Sequence, residues 1–332
     1  MFRLHKNIKI FFNYILGPLL GAWLFYSLYK QVKGQPHLQD SIELIKQAPL
    51  GNHALKFWTV VILVFANWGI EARKWQLLMK GLERIKYFVA FKAVLSGVTL
   101  SINTPNRIGE YGGRILYVKE GNRIKAISLS IAGSMSQLII TLLMGCIGLV
   151  LLIYTQQPGV NFIMGLSFFW VKILLFLSAS AASFLLFIYF RLSWLIKILE
   201  KIPPFVKYAS YISVLEDFHA KVLLRLLSLS FVRFTVFVIQ YILLLQVLNI
   251  DITWVQGFYV ISILFLVLSI VPSFAIADLG IRGKFSVELL AVYSTNTVGI
   301  IGTTFGIWFI NLFIPAIAGS ILILSTKVFK ER

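Results

Sequence analysis

Two stretches of the chain, 168 residues apart, carry an acid, small residues and an arginine in matching order. The first runs from Leu100 to Arg114 and holds Arg107, Gly109, Glu110, Gly112, Gly113 and Arg114. The second runs from Leu268 to Arg282, holds Ala277, Asp278, Gly280 and Arg282, and is followed by Lys284 and Glu288. Without gaps, six of the 15 positions are identical: Leu100/Leu268, Ser101/Ser269, Ile102/Ile270, Ile108/Ile276, Gly112/Gly280 and Arg114/Arg282. Guanidinium presents a planar fork suited to phosphate oxygens, and backbone N–H groups at glycine-rich helix starts attract anions. Asn103 and Asn106 stand beside the first turn. The set describes a cradle for an anionic headgroup, with the acids holding the arginines when no anion is bound. The alternative is structural: Glu110 with an arginine, and Asp278 with Arg282, as internal ion pairs inside broken helices. Retention of an acid and an arginine four residues later in both copies favours the binding role.

These residues sit in an apolar chain. The sequence is 58% hydrophobic and 15% aromatic, with mean hydropathy +0.85. Soluble domains are about 45–50% apolar, so a polytopic membrane protein is expected. In that setting each ionised group at the bilayer centre costs about 2.5–3.5 kcal/mol on insertion scales, and persists when paired or facing a watery cavity. Full spans are expected over 8–29, 56–75, 126–154, 161–190, 223–248 and 297–326. The basic N-terminal flank resembles a signal peptide, but the run is long and lacks a small-x-small cleavage pattern, so an uncleaved helix is expected. Phe88–Ile102 is too short for a comfortable span, and the second copy has apolar 254–271 followed by Pro272, Gly280 and Gly283. Broken helices at membrane depth must be buried in protein or face water.

The net charge of +18 divides by loop. Segments 1–9, 71–125, 190–225 and 327–332 contain 23 of the 31 Lys and Arg. Four more lie in 30–56 and none in 155–160 or 249–253. Membrane orientation and attraction to anionic lipid explain this better than nucleic-acid binding. With both termini cytoplasmic, the hairpin near 88–125 enters from the cytoplasmic side and the one near 254–296 from the outer side. The expected fold is therefore all-α, with about six full spans plus two broken or re-entrant hairpins in an inverted repeat. Its halves are 1–159 and 160–332. Leu38–Ala48 and Arg191–Lys221 read as surface helices that anchor or pack.

Weaker candidates lie elsewhere. Glu71, near Asn67 and Arg73 at the end of the second span, is expected to pair with Arg73 or Lys74. Arg233 either snorkels or faces the cavity. Gln137, Gln240 and Asn311 suit interhelical hydrogen bonds, and Gly17/Gly21 and Gly302/Gly306 suit helix packing. The histidines His5, His37, His53 and His219 are isolated, so no metal is expected, and Cys146 is the single cysteine. No phosphate loop, zinc-protease motif or nucleophile elbow is present, so no cofactor is expected either. No polar stretch is long enough for an appended catalytic domain, and the chain is expected not to be an enzyme.

Pro105-Asn-Arg107-Ile-Gly109-Glu110, after a short apolar segment, resembles the Pro-x-Arg-x-Gly-Glu motif of the lysylphosphatidylglycerol synthase transmembrane-region family. Gly280-Ile-Arg282 resembles the family's second-half Gly-x-Arg motif, although Gly283 stands where that motif often continues with Glu. The resemblance implies a bacterial inner-membrane protein that moves a lipid between leaflets, without the separate soluble domain that aminoacylates phosphatidylglycerol. Three readings follow. The first is a flippase for an anionic lipid or lipid-linked headgroup. Its contacts would be Asn103, Arg107, Glu110, Arg114, Asp278, Arg282, Lys284 and Glu288. The second is a membrane-embedded transferase using a lipid-linked donor through Glu110 and Asp278. The third is a non-transporting membrane partner. A homo-oligomer is compatible with all three.

Overall fold

The computed structural model describes residues 38–102, 104, 107–155, 162–163, 166–194, 196, 201, 211, 213–216, 218–271 and 275–325. The expected span 8–29 with Gly17/Gly21, the residues Asn103 and Asn106, and most of the 191–221 surface segment lie outside these.

A short α1 (Leu38–Gln47) precedes the long helix α2 (Ala54–Met79). A 16-residue α3 (Tyr87–Ile102) then turns into the seven-residue α4 (Gly109–Ile115), which leads to α5 (Arg123–Thr155). A two-residue antiparallel pair, β1 (Phe162–Ile163) with β2 (Leu166–Ser167), leads into α6 (Phe168–Phe190). The expected span at 161–190 therefore starts later, at Phe168. Next come α7 (Ala220–Val247), α8 (Trp254–Ile270), α9 (Ala275–Leu290) and α10 (Thr297–Trp308). A π-turn at Phe309–Phe313 joins α10 to α11 (Ile314–Ser325).

Among the described residues, five stretches are long and apolar enough to cross a membrane: α2, α5 with its preceding turn, α6, α7, and α10 through α11. At about 1.5 Å per residue, 23 or more residues exceed the ~30 Å hydrocarbon core. By the same measure α3 and α8, with 16 and 17 residues, fall short of it. Large apolar side chains face outward on these helices, among them Phe65, Phe176, Phe184 and Ile321. So continuous an apolar exterior suits lipid contact. The protein is an all-α, multi-pass membrane protein.

Local chemistry sets several boundaries. Thr253 and Gln256 form a reciprocal capping box at the start of α8, with bonds of 3.3 and 3.0 Å. Asn296 Oδ1 caps α10 by accepting from the Gly299 N–H at 2.9 Å. Gln240 Nε2 donates to the Val60 carbonyl at 2.9 Å, tying α7 to α2 as the sequence led us to expect.

Helix α3 packs against α2, α4 and α11, while α8 packs against α5, α7 and α9. Helices α2 and α7 lie along one another. One apolar core gathers around α3 and includes Trp75, Ala93, Val98 and Leu312. A second gathers around α8 and includes Leu149, Tyr241, Ile261 and Leu264. Shifted by 168, α2 falls on residues 222–247, almost the bounds of α7, and α3 falls on 255–270, almost those of α8.

Candidate functional site

Helix α2 carries Asn67, Trp68, Glu71, Lys74 and Trp75 on one side, and all five are buried. The spacing of three and four residues stacks Asn67, Glu71 and Lys74 along a single stripe. Glu71 is the hub. Its carboxylate receives Lys74 Nζ at 2.9 Å, Arg114 Nη2 at 2.8 Å and Arg233 Nη1 at 3.0 Å. Arg114 also pairs with Glu110, one turn earlier on α4. Three cations thus share two carboxylates, and the Glu71 side chain is only 5% exposed. A buried charge without a partner costs several kcal/mol, so each member depends on the others.

Hydrogen bonds extend this network. Arg233 Nε donates to Asn67 Oδ1 at 2.7 Å, and Asn67 Nδ2 donates to Asn311 Oδ1 at 2.9 Å. The Arg233 guanidinium lies over Trp68 at 5.2 Å and over Phe237 at 5.4 Å. Two bonds and two ring faces hold it in one orientation. Lys74 Nζ also reaches Ser230 Oγ at 3.4 Å, and Ser230 meets Ser136 at 2.8 Å.

Arg233 opens onto a cavity of about 290 Å³. Both hairpins reach it: Arg107 comes from the first and Arg282 from the second, with Leu268 and Ser269 from the end of α8. Trp68, Phe237, Tyr241, Phe265 and Trp308 supply aromatic wall, while Gln137, Thr141 and Asn311 supply polar groups. Among the described residues, Trp68 Nε1, Trp308 Nε1, Asn311 Nδ2 and Gln137 Oε1 in the lining are buried without a hydrogen-bond partner. Three of the four are donors. Buried polar groups are nearly always satisfied, so a wall with several unsatisfied donors suits a ligand rich in acceptors.

The turn that presents Arg107 is built for close approach. Arg107 has φ 59°, a left-handed conformation unusual for a residue with a Cβ. Thr104 Oγ1 accepts from the Gly109 N–H at 2.8 Å. A Cβ on Gly109 would collide with the Leu100 carbonyl oxygen, so this position needs glycine.

Arg107 and Arg282, both expected as headgroup contacts, line the cavity. Glu110 and Arg114 sit behind it in the buried ion network, the arrangement that the structural alternative described for Glu110. Lys284 and Glu288 approach each other at 3.9 Å on a partly exposed face and are not among the described lining residues. Asn103 and the Asp278 side chain lie outside what is described. Arg233 faces the cavity, which decides between its two readings. Glu71 pairs with Lys74, while Arg73 donates to Gln76 at 2.5 Å. The sequence signal for the hub is Asn67, Glu71 and Lys74 at helical spacing in an apolar span.

The family model for the lysylphosphatidylglycerol synthase TM region matches residues 14–319. A comparison with curated proteins gave no significant match. The matched segment takes in both hairpins, the α2 hub and every described cavity residue. The chain thus belongs to the lysylphosphatidylglycerol synthase TM region family and is a multi-pass membrane protein related to lipid metabolism.

Proposed function

We propose that the protein is a lipid flippase that passes an anionic headgroup through the arginine-lined cavity while the acyl chains stay in the bilayer. The observation that carries this reading is the convergence of Arg107, Arg233 and Arg282 on one aromatic-walled space. Guanidinium forks and the unpartnered Trp68, Trp308 and Asn311 donors suit phosphate oxygens. In this reading the halves 1–159 and 160–332 form an inverted repeat in the cell inner membrane, with both termini in the cytoplasm. The near-constant offset between α2 and α7, and between α3 and α8, supports it. So does the exchange of partners, with the first hairpin's α3 packed on α11 and the second's α8 packed on α5.

A transferase would need carboxylates free to act on its donor. Glu110 is instead engaged by Arg114, so the transporter reading is favoured and the protein is proposed to have no enzymatic activity.

The test is translocation of a fluorescent phosphatidylglycerol analogue in proteoliposomes. Arg107→Ala combined with Arg282→Ala is expected to slow it at least about tenfold, because two charge-assisted contacts of about 1.5–3 kcal/mol each are removed. An unchanged rate in correctly folded protein would sink the site assignment, whereas no translocation by the wild-type protein would favour a non-transporting partner role. Arg114 is unsuitable for this test, since its loss disturbs the buried network first.

A further inference from the structure

A second basic site lies at the far end of α2, on a different side of that helix from Trp68 and away from the cavity. A cleft of about 250 Å³ is lined by Arg73, Gln76, Lys80, Arg84 and Arg225, with Leu77 and Ile85 as its apolar residues. Four cations thus converge on one concavity from two helices and a turn. Lys80 alone would be explained by the helix C-terminus, where cations offset the dipole. Arg225, arriving from the first turns of α7, has no such reason to be there.

The four cations are exposed, but like charges gathered around one cleft still repel, and carboxylates normally relieve them. Among the described residues no carboxylate pairs with any of these four; the nearby Glu83 is turned toward the Lys119 N–H and Asn122 Nδ2. The cleft is also braced. Gln76 accepts from Arg73 Nη1 at 2.5 Å and donates to the Ile85 carbonyl at 2.9 Å. One side chain therefore fixes both an arginine and the turn that carries Arg84. Charge scattered for membrane orientation needs no cleft and no brace.

We infer that this cleft binds a phosphate group, supplied by a lipid headgroup at the membrane surface or by a free phosphorylated solute. Arginine forks match tetrahedral oxyanions, and the cleft lies at the end of the apolar span α2, where the basic 71–92 segment begins. The inference is independent of transport through the cavity.

The experiment uses the full-length protein in vesicles of phosphatidylcholine with a minor share of phosphatidic acid, read by native mass spectrometry of retained lipid. A parallel arm titrates glycerol 3-phosphate into detergent-solubilised protein. Arg84→Gln and Arg225→Gln are each compared with the double control Lys119→Gln plus Lys125→Gln, which removes more charge from the same basic side. If the source is lipid, retained phosphatidic acid falls at least about tenfold per cleft arginine removed, the factor for one charge-assisted contact. The control then retains it. If the source is soluble, the cleft variants lose glycerol 3-phosphate binding and the control keeps it. Equal losses in cleft variants and control, or no loss in either arm, would overturn the proposal. Lys80→Gln, at an exposed position, replaces either arginine variant that fails to fold.

Discussion

Glu71→Gln is expected to lower stability by about 3–5 kcal/mol, the cost of breaking a buried ion network by removing one partner. The amide is nearly the same size, so packing is kept while Lys74, Arg114 and Arg233 lose the carboxylate they share. Glu110 then remains for Arg114 alone. The signature is a large fall in the detergent melting temperature and in the yield of monodisperse protein. Adding Lys74→Met should recover part of the loss, because one stranded cation is removed and its stem is replaced by apolar volume. A Glu71→Gln protein that melts within a degree or two of wild type would mean that the network carries no stability. The double variant separates this from a packing defect, which Lys74→Met would only worsen.

Gly113→Val is expected to match that effect by a different route. A Cβ on Gly113 would meet the Ser96 carbonyl oxygen and the Gly97 backbone at Cα and N. Those atoms belong to the backbone of α3, so no side chain can turn away. Overpacking costs about 1–3 kcal/mol where neighbours can shift, and this site is placed at or above the upper figure. Arg114 is the next residue, so lifting α4 from α3 also draws it away from Glu71. Gly112→Ala is the matched comparison. Its Cβ would find only Leu100 Cδ1 at 3.9 Å, and the change should be near neutral. Thermal melts of the pair decide the matter: equal behaviour would show that α3 and α4 do not need their close contact.

Much of this architecture was written in hydropathy. Apolar runs located α2, α5, α6, α7 and the α10–α11 stretch, and the proline and glycine breaks located both hairpins. The membrane makes this possible, since in lipid only helices and closed barrels satisfy the backbone, and apolar runs this long are helical. Arg107 and Arg282 were also legible, because a charge among apolar neighbours demands a reason. The division of labour was not. Arg114 looks equivalent to Arg282 in the matched segments, yet one is sealed against Glu71 and the other lines the cavity. Which way each points depends on α2, a helix outside both motifs. Asn311 was readable as a hydrogen-bond partner, but its place in the cavity wall depends on the π-turn, which local composition does not announce.

That π-turn sets the phase of the helix that follows it. One extra residue at Phe309–Phe313 rotates α11 by about 100° relative to an unbroken helix continuing from α10. Gly306 on α10 is thereby set against Leu244, and Gly319 on α11 against the Leu95 carbonyl and Thr99. A single polypeptide rod thus grips α7 beside the second hairpin with one phase and the first hairpin with another. Its clutch is the segment bearing Asn311, which bonds Asn67 and through it Arg233. Slipping the clutch by one residue would turn Asn311 out of the cavity as it re-aimed the grip on α3. One helical turn therefore sets both the Asn311 part of the cavity wall and the seat of α11 on α3.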